Sequence, residues 1–241
     1  MTKTWNVNAM PKLDNLTIIA QNGDGDMVTQ GIAVSTSGAV GLDPQQGLAV
    51  LAQNGEQGQD EATLSIEILL DDMQLNLPSV LQESESASAA GACLKESVEN
   101  INEYLLSKKM QQSPVNSPVS VSLIALQFLK GQLSVLGIGD YGCLLCREQK
   151  LTSLLDSFSK KDPLLGVQTL ISVRNTNTWF KTGDVVVLLH NSVLDAIGEE
   201  FVRVTLSRFA DNLDMAVRQM NTRAAREGVS QKPQLIICRM G

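Results

Sequence analysis

The sequence predicts an α+β protein of four layers, α-β-β-α, with two stacked β-sheets flanked by helices. The chain opens with short apolar runs split by Gly, Asn and Asp, the pattern of strands joined by turns. A helical period takes over from Glu61, and a second group of closely spaced strand-like runs follows the proline-containing tract 111–118. The resulting order is strands, two helices, a meander, more helices and a last strand. It fits stacked sheets better than an alternating βαβ plan.

Taken in turn, LTIIA (16–20), GIAVST (31–36) and GLAVLA (47–52) read as the first strands. ATLSIEILLDDMQLNL is helical in composition, and Leu94, Val98, Ile101 and Leu105 repeat at helical spacing with polar residues between them. The polar tract QESESAS (82–88) separates the two as a loop or a frayed helix end. SVSLIALQFL, QLSVLGIG, GCLLCRE and, more weakly, KLTSLL form the meander, with a tight turn at Lys130-Gly131. Residues 159–183 lack a clear period. VVVLL (185–189), apolar on both faces, predicts a central strand. Leu213, Ala216, Val217 and Met220 make a helical stripe, and QLIIC (234–238) closes the chain as a strand.

With 241 residues, 43% hydrophobic and 19% charged, the chain has the composition of a globular protein with a sizeable core. It is read as a single domain over 1–241, with 1–15 as a flexible extension. A net charge of −7 argues against a nucleic-acid partner, which calls for a basic stripe. No apolar run is long enough to span a membrane. The N-terminal stretch lacks the apolar region of a signal peptide, so the expected location is cytoplasmic. Cys93, Cys143, Cys146 and Cys238 are expected to be buried thiols. Cys143 and Cys146 sit three apart on a strand and point to opposite faces, and no second ligand pair supports zinc.

Four stretches resemble, in order, motifs of the metal-dependent type 2C (PPM-type) serine/threonine protein phosphatases. GLAVLAQNGEQGQ resembles L-F-x-V-A-D-G-M-G-G-H, and LSVLGIGDYGCLLCREQKLTSL resembles the segment through a Gly-Asp-Ser-Arg motif and R-x-G-K-L-x-x-L. FKTGDVVVLLHNSVLDAIGEEF resembles L-x-x-G-D-x-x-L-L-x-S-D-G-L-x-D-x-x-x-x-E-E. AAREGVSQKPQLIICRM resembles A-x-x-x-G-S-x-D-N-x-T-x-I-x-V. The resemblance covers roughly residues 30–240. It implies two antiparallel sheets with helices outside, and a dinuclear manganese or magnesium site at one end of the sandwich.

That site would need carboxylates, because hard divalent cations take oxygen ligands and counter-charge together. The matched positions of this chain offer few. Along the best counterpart of G-x-V-R-x-x-N-E-D, residues 38–46, the phosphate-gripping arginine falls on Gly41 and the acidic pair on Gln45 and Gln46. The metal-bridging aspartate falls on Gln53 and its glycine on Asn54. Ser-Asp-Gly becomes His190-Asn191-Ser192, and the last Asp-Asn pair becomes Gln231-Lys232. Asp140 keeps its acid, at a position that serves an auxiliary metal in the family. The expectation is therefore a degenerate site: no catalytic residue, no metal, and a pseudophosphatase with a regulatory role that binds a protein, either a kinase or a phosphoprotein. Two alternatives stand beside it. One is a weak manganese- or magnesium-dependent phosphatase using Asp140 with Asp43 or Asp24, and the other is a structural or assembly domain.

Other signals are weaker. Asn22-Gly23-Asp24-Gly25-Asp26 opens like a calcium loop, but Met27 and Ala33 stand where the glycine and glutamate belong, which favours a solvated turn. His190, the chain's one histidine, has no second histidine or nearby cysteine in support and reads as a partly exposed, hydrogen-bonded imidazole. No serine suggests itself as its partner in a triad, and no nucleophile elbow or Walker loop is present. Trp179-Phe180 is a candidate exposed patch, or more simply an anchor of the 159–183 segment to the sheet.

Overall fold

The computed structural model describes residues 16–22, 24–35, 38–55, 60–84, 86–111, 120–157, 159, 162–229 and 233–241. The tract 112–119, the predicted extension 1–15, and Gln231 and Lys232 lie outside the described residues.

Among the described residues, twelve strands form two six-stranded sheets. One contains β1 (Leu16–Gln21), β2 (Met27–Val28), β8 (Tyr141–Arg147), β9 (Lys150–Ser153), β11 (Val185–His190) and β12 (Leu235–Met240), in the order β2-β1-β12-β11-β8-β9. The other contains β3 (Gly31–Ser35), β4 (Gly38–Asp43), β5 (Leu48–Asn54), β6 (Val121–Leu129), β7 (Gln132–Ile138) and β10 (Arg174–Trp179), in the order β10-β7-β6-β5-β4-β3. All the strand pairings are antiparallel. We name the sheets after their inner strands, β12 and β6. Helices α1 (Glu61–Glu83) and α2 (Ala87–Gln111) cover the β6 sheet. Helices α3 (Asn191–Ile197), α4 (Glu199–Arg208) and α5 (Leu213–Arg226) cover the β12 sheet.

The four layers follow from strands that are apolar on both faces. In β5, Leu48, Val50 and Ala52 pack toward α1 and α2, while Ala49 and Leu51 enter the core between the sheets. β8 divides in the same way. Cys143 lies in the intersheet core and Cys146 under the C-terminal helices, so the C-x-x-C thiols face opposite ways as expected. All four cysteines are free and buried. The predicted turn at Lys130-Gly131 has positive φ at both residues, 47° and 74°, the twist a two-residue hairpin requires.

Some expectations need correction. The aperiodic 159–183 segment contains β10, which is missed because one of its faces carries Asn and the other Thr, so neither is apolar. KLTSLL is a strand only over its first four residues. The polar tract 82–88 is a short break, since α1 runs to Glu83 and α2 begins at Ala87. Trp179 and Phe180 part company: Phe180 packs on Phe128 in the intersheet core, whereas Trp179 is exposed.

Candidate functional site: the mouth of the sandwich

The chain passes from the β6 sheet to the β12 sheet through Gly139-Asp140, between β7 and β8. Gly139 makes this crossing with φ at 85°, and an added Cβ there would lie 2.3 Å from Ser122 Oγ, so only glycine fits. The crossing places Asp140 at one end of the sandwich, the end we call the mouth. The C-terminal end of β11 arrives beside it, since His190 pairs with Tyr141 and Leu189 with Gly142. Asn191 Nδ2 donates to Asp140 Oδ1 at 2.8 Å, and the Asn191 backbone N–H donates to the Asp140 carbonyl at 2.9 Å. The imidazole of His190 caps α3. Its Nδ1 accepts from the Ser192 backbone N–H at 3.2 Å and lies 2.7 Å from Ser192 Oγ. With Nδ1 accepting, Nε2 carries the hydrogen and faces Asp140 Oδ2 at 4.0 Å. Burial lowers the His190 pKa from its ordinary value, against the opposing pull of Asp140 and Asp195.

Ser192 is the serine partner of His190 that the sequence did not suggest. Its own backbone N–H shares the same Nδ1, which makes it part of a helix cap.

The β6 sheet brings Gln53 to the same mouth. It pairs with Gly38 on one side and Ser122 on the other, and the alternation along β5 turns it to the intersheet face. Asn54 follows and is committed elsewhere, since its Oδ1 accepts from the Ala62 N–H at 2.7 Å at the start of α1. Gly41, Gln45 and Gln46 are not at the mouth. β4 runs away from it, so Gly41 lies mid-strand, where an added Cβ would meet Ile66 Cγ2 of α1 at 2.3 Å. Gln45 and Gln46 belong to the β4–β5 turn at the opposite end, where their backbone N–H groups donate to Asp43 Oδ1. The motif match over 38–46 therefore fails in space. Asp43 is equally distant from Asp140 and cannot join it in a metal site. The residues next to Gln53 are instead Ser35 and Gly38, at the β3–β4 turn. At Gly38 a Cβ would stand 2.2 Å from the Ala52 carbonyl oxygen, so no acidic side chain is accommodated there.

Several residues that complete the mouth were not legible as site residues. Gln234, just before β12, donates from Nε2 to Ser35 Oγ at 3.0 Å, and Ser35 Oγ donates in turn to the Gly38 carbonyl at 3.1 Å. This chain of bonds joins the two sheets, with both side chains buried at 8% and 7% exposure. Asn22 accepts from the N–H groups of Asp24 and Asp26, so the supposed calcium loop closes as a turn around a buried amide. Tyr141 is fully buried between the sheets, its ring edge-on to His190 at 5.6 Å. Its hydroxyl has no hydrogen-bond partner among the described residues, and burial pushes its pKa upward. The departure of Gly-Asp-Tyr-Gly from Gly-Asp-Ser-Arg was the one available hint of this plug.

Solved structures of the same shape put this geometry in context. The chain matches PppA, described as a key regulatory component of T6SS in Pseudomonas aeruginosa, with TM-score 0.70, 16% identity, 94% of this chain and 97% of that one. It matches the S. agalactiae serine/threonine phosphatase with TM-score 0.70, 12% identity, and 94% and 99% coverage. It also matches the catalytic domain of the phosphatase PstP in complex with two manganese ions, with TM-score 0.64, 17% identity, and 93% and 97% coverage. This is the fold of the PPM-type serine/threonine phosphatases. Neither the sequence-family models nor the curated protein sequences give a match.

The PPM fold raises the question of metal at this mouth. Among the described residues no group of three or more His, Cys, Asp or Glu is placed to hold an ion. Asp140 is engaged by the Asn191 amide, and Gln234 and Ser35 are a neutral amide and hydroxyl bonded to each other. Amide oxygens can ligate but bring no counter-charge, and desolvating each dication costs several kcal/mol. The described residues do not fit a dinuclear centre.

Proposed function

We propose that this chain is a catalytically inactive PPM-fold protein that acts by binding a protein partner, a kinase or a phosphoprotein, in a regulatory role. One observation supports this reading above the others. Where a dinuclear phosphatase needs carboxylates, the mouth carries an uncharged network that links the two sheets through Gln234, Ser35 and Gly38. Such a network holds the end of the sandwich together without an ion. The regulatory description attached to PppA supplies a precedent for the fold in such a role.

Titration calorimetry with manganese and phosphatase assays on a generic aryl phosphate and on phosphopeptides test the reading. The expected results are no metal-binding heat and no turnover above that of the Asp140→Ala variant. Manganese-stimulated turnover abolished by Asp140→Ala would overturn it. If candidate phosphopeptides give no heat at high concentration, the partner's phosphate is not what the protein recognises.

A further inference from the structure

The β6 sheet ends on β10, which pairs with β7 on one side and with no described strand on the other. Its sequence, RNTNTW, has neither charge nor proline after Arg174, and Asn175, Asn177 and Trp179 are exposed. Charges, prolines and bulges are the usual means of keeping an edge strand from pairing, and this edge lacks the first two along five residues. Trp179 stands at its end with 60% of its surface exposed, although the adjacent Phe180 is buried in the core. An exposed tryptophan beside open backbone donors and acceptors has the make-up of a binding hot spot.

The corner around Trp179 is basic, in a chain whose net charge is −7. The Phe180 N–H donates to the Gly131 carbonyl, which puts the Lys130 turn alongside. Arg147 Nη2 donates to the Trp179 carbonyl at 2.7 Å, and Arg147 faces Lys150 across the β8–β9 hairpin. Lys181 follows two residues after Trp179. Asp184 neutralises Arg147 in a two-bond pair. Lys150 and Lys181 stand against Glu148 at this corner.

We propose that the β10 edge is a docking strand for an extended, acidic segment of a partner protein. The segment adds a strand to the β6 sheet through main-chain hydrogen bonds, packs a side chain on Trp179 and directs carboxylates to the lysine corner. The docking end lies away from the mouth, because Trp179 pairs with Gln132 while Arg174, at the other end of β10, pairs with Gly137 near Asp140. The proposal rests on the partner-binding half of the preceding reading and is independent of the loss of catalysis.

Random dodecapeptides displayed on phage, panned against the immobilised full chain, test it. The enriched sequences are expected to combine a β-prone stretch with several Asp or Glu. Synthetic copies should bind about tenfold more weakly to Trp179→Ala and about fivefold more weakly to Lys150→Glu/Lys181→Glu, with circular dichroism confirming that both variants fold. Bound peptide should also slow amide exchange at alternate residues of β10. Failure of any peptide to enrich, enrichment of basic peptides, or equal binding to the variants overturns the proposal. So does sedimentation showing that the wild-type chain pairs with itself through β10. Manganese-dependent turnover would sink the inactive-enzyme reading and leave this one standing.

Discussion

Replacing Ser35 with alanine tests whether the mouth is held by its own hydrogen bonds. The substitution removes the acceptor of Gln234 Nε2 and the donor to the Gly38 carbonyl, both in a buried setting. A net hydrogen bond contributes about 1 kcal/mol, and a buried donor left unpaired costs about 1–3 kcal/mol. A loss of about 2 kcal/mol is expected, which for a domain of this size lowers Tm by roughly 4–8 °C. Gln234→Ala should cost at least as much, because it also leaves a void between the sheets. The decisive quantity is the coupling in a double-mutant cycle measured by urea unfolding, expected at about 0.5–1.5 kcal/mol. The wild-type midpoint should be the same with manganese and with a chelator. Single-variant losses that add to within about 0.3 kcal/mol would show that the two side chains do not act together, and the argument for a metal-free clasp would fail.

Three further outcomes follow from the same contacts. Arg147→Ala leaves the carboxylate of Asp184, 2% exposed, with only the Lys181 backbone N–H as a donor, and should cost about 1–3 kcal/mol in urea unfolding. Gly41→Arg, which restores the residue type of the phosphate-gripping motif, should destabilise by about 1–3 kcal/mol or more by driving a side chain into Ile66, and should give no phosphate binding by calorimetry. His190 has its folded pKa lowered, so the unfolded chain binds more protons as pH falls through the ordinary histidine range. Its contribution to stability is present above about pH 6.5 and is lost below it, and His190→Asn should flatten that part of the Tm–pH profile.

How much was legible differs from residue to residue. Gln53, Asp140, His190 and Asn191 come to the same end of the sandwich because each ends or follows a strongly apolar strand, and the apolar run fixes the register of what comes after it. Gly41, Gln45 and Gln46 were misplaced because a short motif match carries no direction in space. The β4–β5 hairpin turns it away from the mouth. β10 escaped notice because an edge strand with Asn on one face and Thr on the other leaves no hydrophobic period to read.

By itself, the sequence determined the layered α+β architecture, the two helices over one sheet and which side chains can carry charge. Local chemistry sets each of these: apolar periodicity chooses strand or helix, and residue type decides whether a position can carry charge. Only the tertiary structure decided which neutral residues meet. Ser35 and Gln234 are 199 residues apart and are joined because two sheets close on one core. Tyr141 becomes a plug because β8 turns it inward, and Trp179 is left at an open edge because no described strand pairs beyond β10. Contacts between distant segments depend on how whole sheets stack, and no local pattern in the chain records that.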